Sequence, residues 1–174
     1  MQTGRCQRWL VELLLLVLLL VGVYVFTQWR GSAATPPRQL PVLVLQSPSG
    51  QWLDYQPRSG EVTLINFWSP DCPPCVAEIP VLNGLQKWLG GAHFTVLGVA
   101  VAGNAPIVVA QAKSRYGIIY PVYVDSSGGV SRLLGGVTLT PTSLLVNGQG
   151  RIVGRYVGAI SLPVILWHLL RMRL

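Results

Sequence analysis

Two cysteines separated by two residues are the part of this sequence best suited to chemistry. Cys72 and Cys75 stand in the stretch INFWSPDCPPCVAEIP, and Cys6 is the remaining cysteine of the chain. Such a pair can exchange disulfides, bind a metal together with further ligands, or form a structural disulfide. The elements around the pair help to distinguish these three uses.

The segments around the pair alternate between strand and helix patterns. EVTLINFW is a β-branched and aromatic run before the cysteines, and VAEIPVLNGLQKWLGG follows them with apolar residues at helical spacing. The other strand patterns are VLVLQ, QWLDY, HFTVLGVAV, YPVYVD, SLLV and RIVGRYVG, and the other helix patterns are APIVVAQAKSRYG, GVSRLLGG and SLPVILWHLLRMRL. This order predicts an α/β domain that starts with a β-hairpin and has a central mixed sheet with helices on both faces.

The cysteines lie where a strand ends and a helix begins, which is the edge of an α/β sheet that carries chemistry. At a helix start, unpaired N–H groups and the helix dipole lower the pKa of a thiol, so Cys72 is the expected nucleophile. Glu78 lies one helical turn beyond Cys75, where a carboxylate can accept and return the proton of the second thiol. The alternative for Glu78 is a solvated residue on the helix surface.

The start of the chain is the most apolar part of the sequence. Residues 13–29 carry no charge, and a helix over residues 9–29 rises about 30 Å, the thickness of a bilayer core. We therefore predict a cytoplasmic tail at 1–8, a transmembrane anchor at 9–29, a linker at 30–40 and the folded domain at 41–174. The alternative is a cleaved signal peptide, with Arg5 and Arg8 as its basic region and small residues at 32–34.

Three motifs in this order carry a family resemblance. INFWSPDCPPCVAEIP, YPVYVD and VTLTPTSLLVNGQGRIVGRYVG resemble the thioredoxin superfamily, and within it the membrane-anchored TlpA/ResA-like thiol–disulfide oxidoreductases. That group includes the cytochrome c maturation reductases and the thioredoxin-like proteins of the suppressor-of-copper-sensitivity system, and the latter are slightly more similar. The resemblance covers residues 41–174 and implies a thioredoxin-like fold and a protein-disulfide reductase.

The resemblance also implies roles for single residues. Cys72 matches the attacking cysteine, Cys75 the resolving one and Glu78 the acidic residue near the pair. Pro141 matches the family's cis-proline, and Thr140 would offer backbone groups to an incoming polypeptide. The redox-active disulfide is the only redox group implied, with no organic cofactor.

Location and partners follow from the same resemblance. It implies a bacterial inner-membrane protein that crosses the membrane once and holds its catalytic domain in the periplasm. The implied partners are a disulfide-bearing protein substrate and a membrane electron donor that draws on cytosolic thioredoxin, and no nucleic-acid motif is visible. The alternative function is a copper-binding chaperone that uses the same cysteines, although a metal site needs further ligands and His93 and His168 are both distant in sequence. We therefore predict no metal site.

Two positions depart from the family pattern and are expected to tune the redox pair. Asp71 precedes Cys72 where tryptophan is usual, and Asn66 stands where cytosolic thioredoxins carry a buried aspartate. At about 6 Å and a dielectric constant near 40, the Asp71 charge costs the thiolate roughly 1.4 kcal/mol, or about one pKa unit. Pro73 and Pro74 also remove two N–H donors from the turn around the sulfur. Both effects predict a reducing pair.

The closing segment, SLPVILWHLLRMRL, is apolar around almost its whole predicted helix. A helix that covers one face of a sheet needs only an apolar stripe. Either the fold buries the surplus, or an outer face with Trp167 and Leu170 meets the bilayer surface or a membrane partner.

Overall fold

The computed structural model describes residue 9 and residues 12–24 and 38–172. Between 38 and 172 the strands are β1 (Arg38–Gln39), β2 (Leu43–Gln46), β3 (Trp52–Tyr55), β4 (Val62–Trp68), β5 (Phe94–Ala100), β6 (Val122–Val124), β7 (Thr142–Val146) and β8 (Arg151–Val157). The helices of the same range are α1 (Pro73–Leu89), α2 (Pro106–Arg115), α3 (Gly129–Leu133) and α4 (Leu162–Arg171). This order of elements is the one that the sequence patterns predict, with β1 added.

All eight strands form one mixed sheet in the order β1-β8-β7-β4-β5-β6-β2-β3. Strand β5 pairs in parallel with β4 and β6, whereas β7 pairs with β4 and β8 in antiparallel fashion. The predicted N-terminal hairpin is present as the antiparallel pair β2 and β3. The structure thus confirms the thioredoxin-like α/β fold with a central mixed sheet.

The core lies on both faces of the central strand β4, whose seven residues are all buried. Leu64 packs in one cluster with residues of α1, α2 and α4, and Ile65 packs on the opposite face with Val130 of α3 and Leu43 of β2. Alternate side chains of a strand point to opposite faces, so a fully apolar strand needs cover on both. The predicted helices on both faces supply it.

The end of the predicted linker is part of the sheet. Arg38 and Gln39 pair with Ile152 and Arg151 as the short edge strand β1, and the Leu40 N–H donates to the Gly150 carbonyl at 2.7 Å. Two residues are too few to show an alternating pattern, so the sequence gives no sign of this strand. The chain therefore enters the sheet at 38, three residues before the predicted domain boundary.

The predicted anchor lies partly outside the described residues, which omit 10–11 and 25–29 of the segment. Residues 12–24 are helical and their side chains are exposed. Within the described part of the chain, no helix has both the length and the apolar character needed to cross a membrane.

Helix α4 buries one side and exposes another apolar side. Ile165 and Leu169 are buried against the sheet, whereas Leu166, Trp167 and Leu170 are 43%, 55% and 71% exposed. The alternative in which the fold buries the whole apolar surplus of this helix is therefore wrong, because these side chains lie on the helix side turned away from the sheet.

Candidate active site

The loop after β4 places Cys72 at the start of α1. Cys72 is the residue that caps the helix, its N–H donates to the Ser69 carbonyl at 3.1 Å, and its carbonyl accepts from the Val76 N–H at 3.1 Å. Pro73 and Pro74 occupy the first two helical positions, where a missing N–H breaks no helical hydrogen bond. The proline pair and the loop hydrogen bond therefore fix the sulfur at the junction that the sequence predicts.

The two cysteines form a disulfide but differ in exposure. Their Cα atoms are 5.2 Å apart, and Cys72 is 9% exposed against 2% for Cys75. Access from solvent is therefore easier to the Cys72 sulfur than to the Cys75 sulfur. This agrees with the predicted order, in which Cys72 meets the substrate and Cys75 acts from inside.

A loop from the far part of the sequence faces the Cys72 sulfur. The Thr140 carbonyl oxygen lies 3.5 Å from Cys72 Sγ, and the peptide bond between Thr140 and Pro141 is cis. The loop is held from both sides, since Thr142 Oγ1 donates to the Leu139 carbonyl at 2.7 Å and the Gly158 N–H donates to the Pro141 carbonyl at 2.8 Å. The structure thus brings the predicted substrate-binding residues beside the predicted nucleophile.

Glu78 is buried on the side of α1 that packs against the sheet. Its side chain is 4% exposed, with Oε1 accepting from the Ile160 N–H at 2.5 Å and Oε2 accepting from Asn66 Nδ2 at 3.1 Å. Burial raises the pKa of this carboxyl, and the two hydrogen bonds oppose the rise only in part. The surface alternative for Glu78 is therefore wrong, because the helix turns this residue inward.

Asn66 holds Glu78 with the help of a residue that sequence reasoning did not identify. Asn66 lies opposite Ser143 across β4 and β7, and its Nδ2 group donates to Ser143 Oγ at 2.9 Å as well as to Glu78. Both hydrogens of the amide group are therefore committed, which orients its NH₂ toward the carboxylate. Ser143 reaches Asn66 because of the register between β4 and β7, and Ile160 contributes only its backbone N–H. Neither contact could therefore be recognised from the amino-acid sequence.

The predicted tuning residues on the helix start face solvent. Asp71, Pro73 and Pro74 are all exposed. Both prolines lack an N–H, so the first backbone N–H of the helix belongs to Cys75 at the third helical position. This N–H is the donor that remains to stabilise a Cys72 thiolate. Water screens the Asp71 charge, so its effect on Cys72 is smaller than the estimate for an intermediate dielectric.

The two histidines lie away from the cysteine pair. His93 stands at the amino end of β5, opposite the edge that carries the cysteines, and His168 Nδ1 lies 2.6 Å from the Tyr156 hydroxyl. Within residues 9, 12–24 and 38–172, no group of three or more histidine, cysteine, aspartate or glutamate side chains is placed to hold a metal ion. The described residues therefore offer the cysteines no additional metal ligands.

Together, the fold and the cysteine site define a thioredoxin-like thiol–disulfide oxidoreductase. The chain belongs to the Redoxin family, whose model matches residues 36–164. This confirms the similarity to the TlpA/ResA-like group of the thioredoxin superfamily. The activity class rests on relatives named as thiol–disulfide oxidoreductases and on the cysteine pair itself.

Individual relatives cover most of the chain. The thiol–disulfide oxidoreductase ResA of Geobacillus thermodenitrificans is 26% identical over 168 residues, which are 97% of this chain and 95% of that protein. A thiol:disulfide interchange protein of the thioredoxin family from Chlorobium tepidum is 29% identical, with a TM-score of 0.64 over 74% of this chain and 90% of that chain. A secreted thiol-disulfide isomerase from Corynebacterium glutamicum is 24% identical and has a TM-score of 0.70, and the match covers 78% of this chain and 86% of that chain. At this identity, the similarity shows only that the two proteins share a fold.

Proposed function

We propose that this oxidoreductase is a membrane-anchored protein-disulfide reductase of the bacterial periplasm. The observation that carries the assignment of disulfide exchange is the paired-cysteine site itself, in which the more accessible Cys72 sulfur faces Thr140 and the inner Cys75 is followed one turn later by buried Glu78. In this site, the Cys72 sulfur can attack a substrate, and the Cys75 sulfur can reach the Cys72 sulfur from the interior of the domain. Such a division is what a two-step exchange requires.

In the first step, the Cys72 thiolate attacks one sulfur of a substrate disulfide. A bond forms between Cys72 Sγ and that sulfur, the substrate disulfide breaks, and the second substrate sulfur leaves as a thiolate. Thr140, whose carbonyl lies 3.5 Å from Cys72 Sγ, would accept a backbone hydrogen bond from the substrate chain in this mixed disulfide.

In the second step, Cys75 resolves the mixed disulfide. The Cys75 thiol loses its proton, its sulfur attacks Cys72 Sγ, and the substrate leaves with both of its sulfurs reduced. Two electrons have passed to the substrate, and the Cys72–Cys75 disulfide remains on the enzyme. Glu78 is the group proposed to take the Cys75 proton, since burial raises the pKa of its carboxyl and makes it a stronger base.

The proposed location rests on the sequence before the domain. Residues 13–29 carry no charge, and the described residues 12–24 are helical, as a single-pass anchor requires. In an oxidising compartment the enzyme disulfide needs an electron source, and we propose a membrane reductase of the thioredoxin-dependent type. The substrate is proposed to be a protein, because the backbone carbonyl that faces the reactive sulfur can accept a hydrogen bond from an extended polypeptide.

The test is to trap the substrate through the full-length chain. Cys75→Ala removes the resolving thiol, so the variant is expected to accumulate mixed disulfides through Cys72 in bacterial membranes, and mass spectrometry after non-reducing electrophoresis identifies the partner. Cys72→Ala is the matched control because it also leaves one cysteine of the pair.

The comparison between the two variants decides the assignment. We expect many-fold more trapped protein with Cys75→Ala than with Cys72→Ala. Equal trapping by both would show that the roles of the cysteines are wrongly assigned, and no trapping together with no reduction of insulin disulfides by the wild-type chain would contradict the reductase function.

A further inference from the structure

The domain has two opposite ends, and one of them carries the cysteines. The carboxyl ends of the parallel strands β4, β5 and β6 form the redox end, where Cys72 follows β4. Helix α1 begins there and has 17 residues, so Leu89 at its other end lies about 25 Å away. We call this other end the tether end, because the chain enters the sheet there.

The chain enters the sheet at the tether end. The antiparallel pairing of β7 with β4 places Val146 beside Thr63, so the turn between β7 and β8 lies at the amino end of β4. Gln39 of β1 pairs with Arg151 just after this turn, and its side chain donates to the Gln149 carbonyl at 2.9 Å. Residue 38 therefore joins the sheet far from the cysteines, and β1 runs from there toward the tether end.

The tether end also carries an exposed apolar surface, formed by Trp88 at the end of α1 and by Leu166, Trp167 and Leu170 on the outer side of α4. We call it the apolar face. Trp88 is 78% exposed and Leu170 71% exposed. A groove of about 290 Å³ between the two helices is lined by Trp88, Leu166 and Leu170 together with His93. Large apolar side chains gathered in this way on a soluble surface are typical of an interaction site.

Exposed basic side chains lie at the same end of the domain as this apolar face. Lys87 lies in the last turn of α1, Arg171 in the last turn of α4, and Arg151 starts β8 at the same end, and all three are exposed. The Arg171 guanidinium carbon is 4.9 Å from the centroid of the Trp167 ring. An exposed tryptophan beside a cation on an amphipathic helix suits the boundary between phospholipid headgroups and acyl chains.

The tether length allows this end to reach the membrane. If the anchor ends at Trp29, eight residues, 30–37, separate it from β1. Fully extended, they span at most about 28 Å. Residue 38 can therefore lie no further than that from the bilayer, which leaves the tether end free to touch it.

We propose that the apolar face docks on the anionic phospholipid surface of the membrane that anchors the chain. The inference rests on the proposed anchoring and adds an orientation to it. Trp88, Trp167 and Leu170 enter the interface, and Lys87 and Arg171 contact the phosphate groups. In this orientation the redox end points away from the bilayer, so a substrate or an electron donor must present its sulfurs about 25 Å above the docking surface.

The experiment uses the full-length chain in vesicles of phosphatidylglycerol and phosphatidylcholine, with and without bromine on the acyl chains of the lipid. Brominated lipid quenches tryptophans that lie in the membrane interface. Trp88→Phe and Trp167→Phe are each expected to lower the quenched fraction of the fluorescence. Trp52→Phe is the matched control, because Trp52 is 58% exposed but lies at the redox end, where β2 meets the end of β6. Its removal is expected to raise the quenched fraction.

A second pair of variants tests the same surface by charge. Leu170→Glu is expected to release the face and to remove the quenching of Trp88 and Trp167, whereas Leu133→Glu, an exposed position on α3, leaves it unchanged. The docking would be overturned if Trp88 and Trp167 stay unquenched in a wild-type chain that remains bound to the vesicles. It would also be overturned if self-association of the chain, rather than the lipid, covers the apolar face. Insulin reduction by the same samples reports the redox function separately, so failure of docking and failure of the proposed function are distinguishable.

Discussion

At the scale of single residues, the proposed mechanism depends on a carboxylate that the fold keeps out of water. Glu78 accepts hydrogen bonds from the Ile160 N–H and from Asn66, and Ser143 holds Asn66 in place. A buried carboxylate with only neutral donors has no opposite charge to favour its ionised form, and burial accordingly raises its pKa. These properties suit Glu78 to the proposed role of accepting the proton of the thiol one turn before it.

Glu78→Gln is expected to slow the resolution of the mixed disulfide by Cys75 on the order of 10²-fold, the usual contribution of a positioned base. The first attack by Cys72 should change little. In the wild type, the rate of resolution should fall as the pH drops through the pKa of Glu78, which lies above that of an ordinary glutamate. Stopped-flow measurement from a preformed mixed disulfide across pH checks both points.

The pH profile distinguishes a proton acceptor from a structural residue. With Gln at position 78, the limb assigned to the carboxylate should be absent. A variant that resolves the mixed disulfide at the wild-type rate, with the same limb, would show that another group takes the Cys75 proton.

At the scale of elements, the short helix α3 depends on one buried aspartate. Asp125 is 1% exposed, and its carboxylate accepts from the Val130 N–H at 3.1 Å and from both the N–H and the hydroxyl of Ser131 at 2.7 Å. A helix of five residues cannot satisfy its own first N–H groups. Asp125 therefore stabilises α3, which leads into the loop that carries Thr140.

Asp125→Ala is expected to lower the free energy of unfolding by about 2 kcal/mol, because it removes the cap and leaves buried donors without a partner. Thermal unfolding of the oxidised full-length chain in detergent measures the loss as a lower Tm. Asp54→Ala, at an exposed position of β3, is the control and should unfold at nearly the wild-type temperature. Equal melting temperatures for the two variants would contradict the role given to Asp125.

The sequence predicts long, regular elements better than contacts between them. EVTLINFW and the helix after it have clear patterns, so β4, α1 and the position of Cys72 follow from the chain alone. Strand β1 has only two residues, and the contact of Ser143 with Asn66 depends on the register of β4 and β7. The inward orientation of Glu78 could be proposed from its spacing to Cys75, but its partners could not.

At the scale of the whole molecule, the cysteine pair and the first strand of the sheet lie at opposite ends. Cys72 follows the carboxyl end of β4, whereas β1 joins the sheet beside the turn between β7 and β8. From the sequence, α4 could be described only as having more apolar residues than one buried side needs. Hydrophobic periodicity does not say which side of the helix the sheet covers. The three-dimensional arrangement shows that the surplus lies at the end where the chain enters the domain.

The direction of electron flow depends on how well the site stabilises the Cys72 thiolate. The Cys75 N–H is the donor that the proline pair leaves at the third helical position, and Asp71 adds a negative charge that water partly screens. A poorly stabilised thiolate raises the free energy of the reduced form, and a pair with an unstable reduced form gives up its electrons readily. Both features therefore favour a reductase over an oxidant.

The reduction potential of the Cys72–Cys75 couple tests this account most directly. It can be measured by equilibrating the full-length chain in detergent with glutathione buffers and trapping the free thiols at each ratio. We expect a potential in the range of the glutaredoxins and thioredoxin, about −200 to −270 mV. A value near about −120 mV, typical of strong periplasmic oxidants, would contradict the assignment as a protein-disulfide reductase.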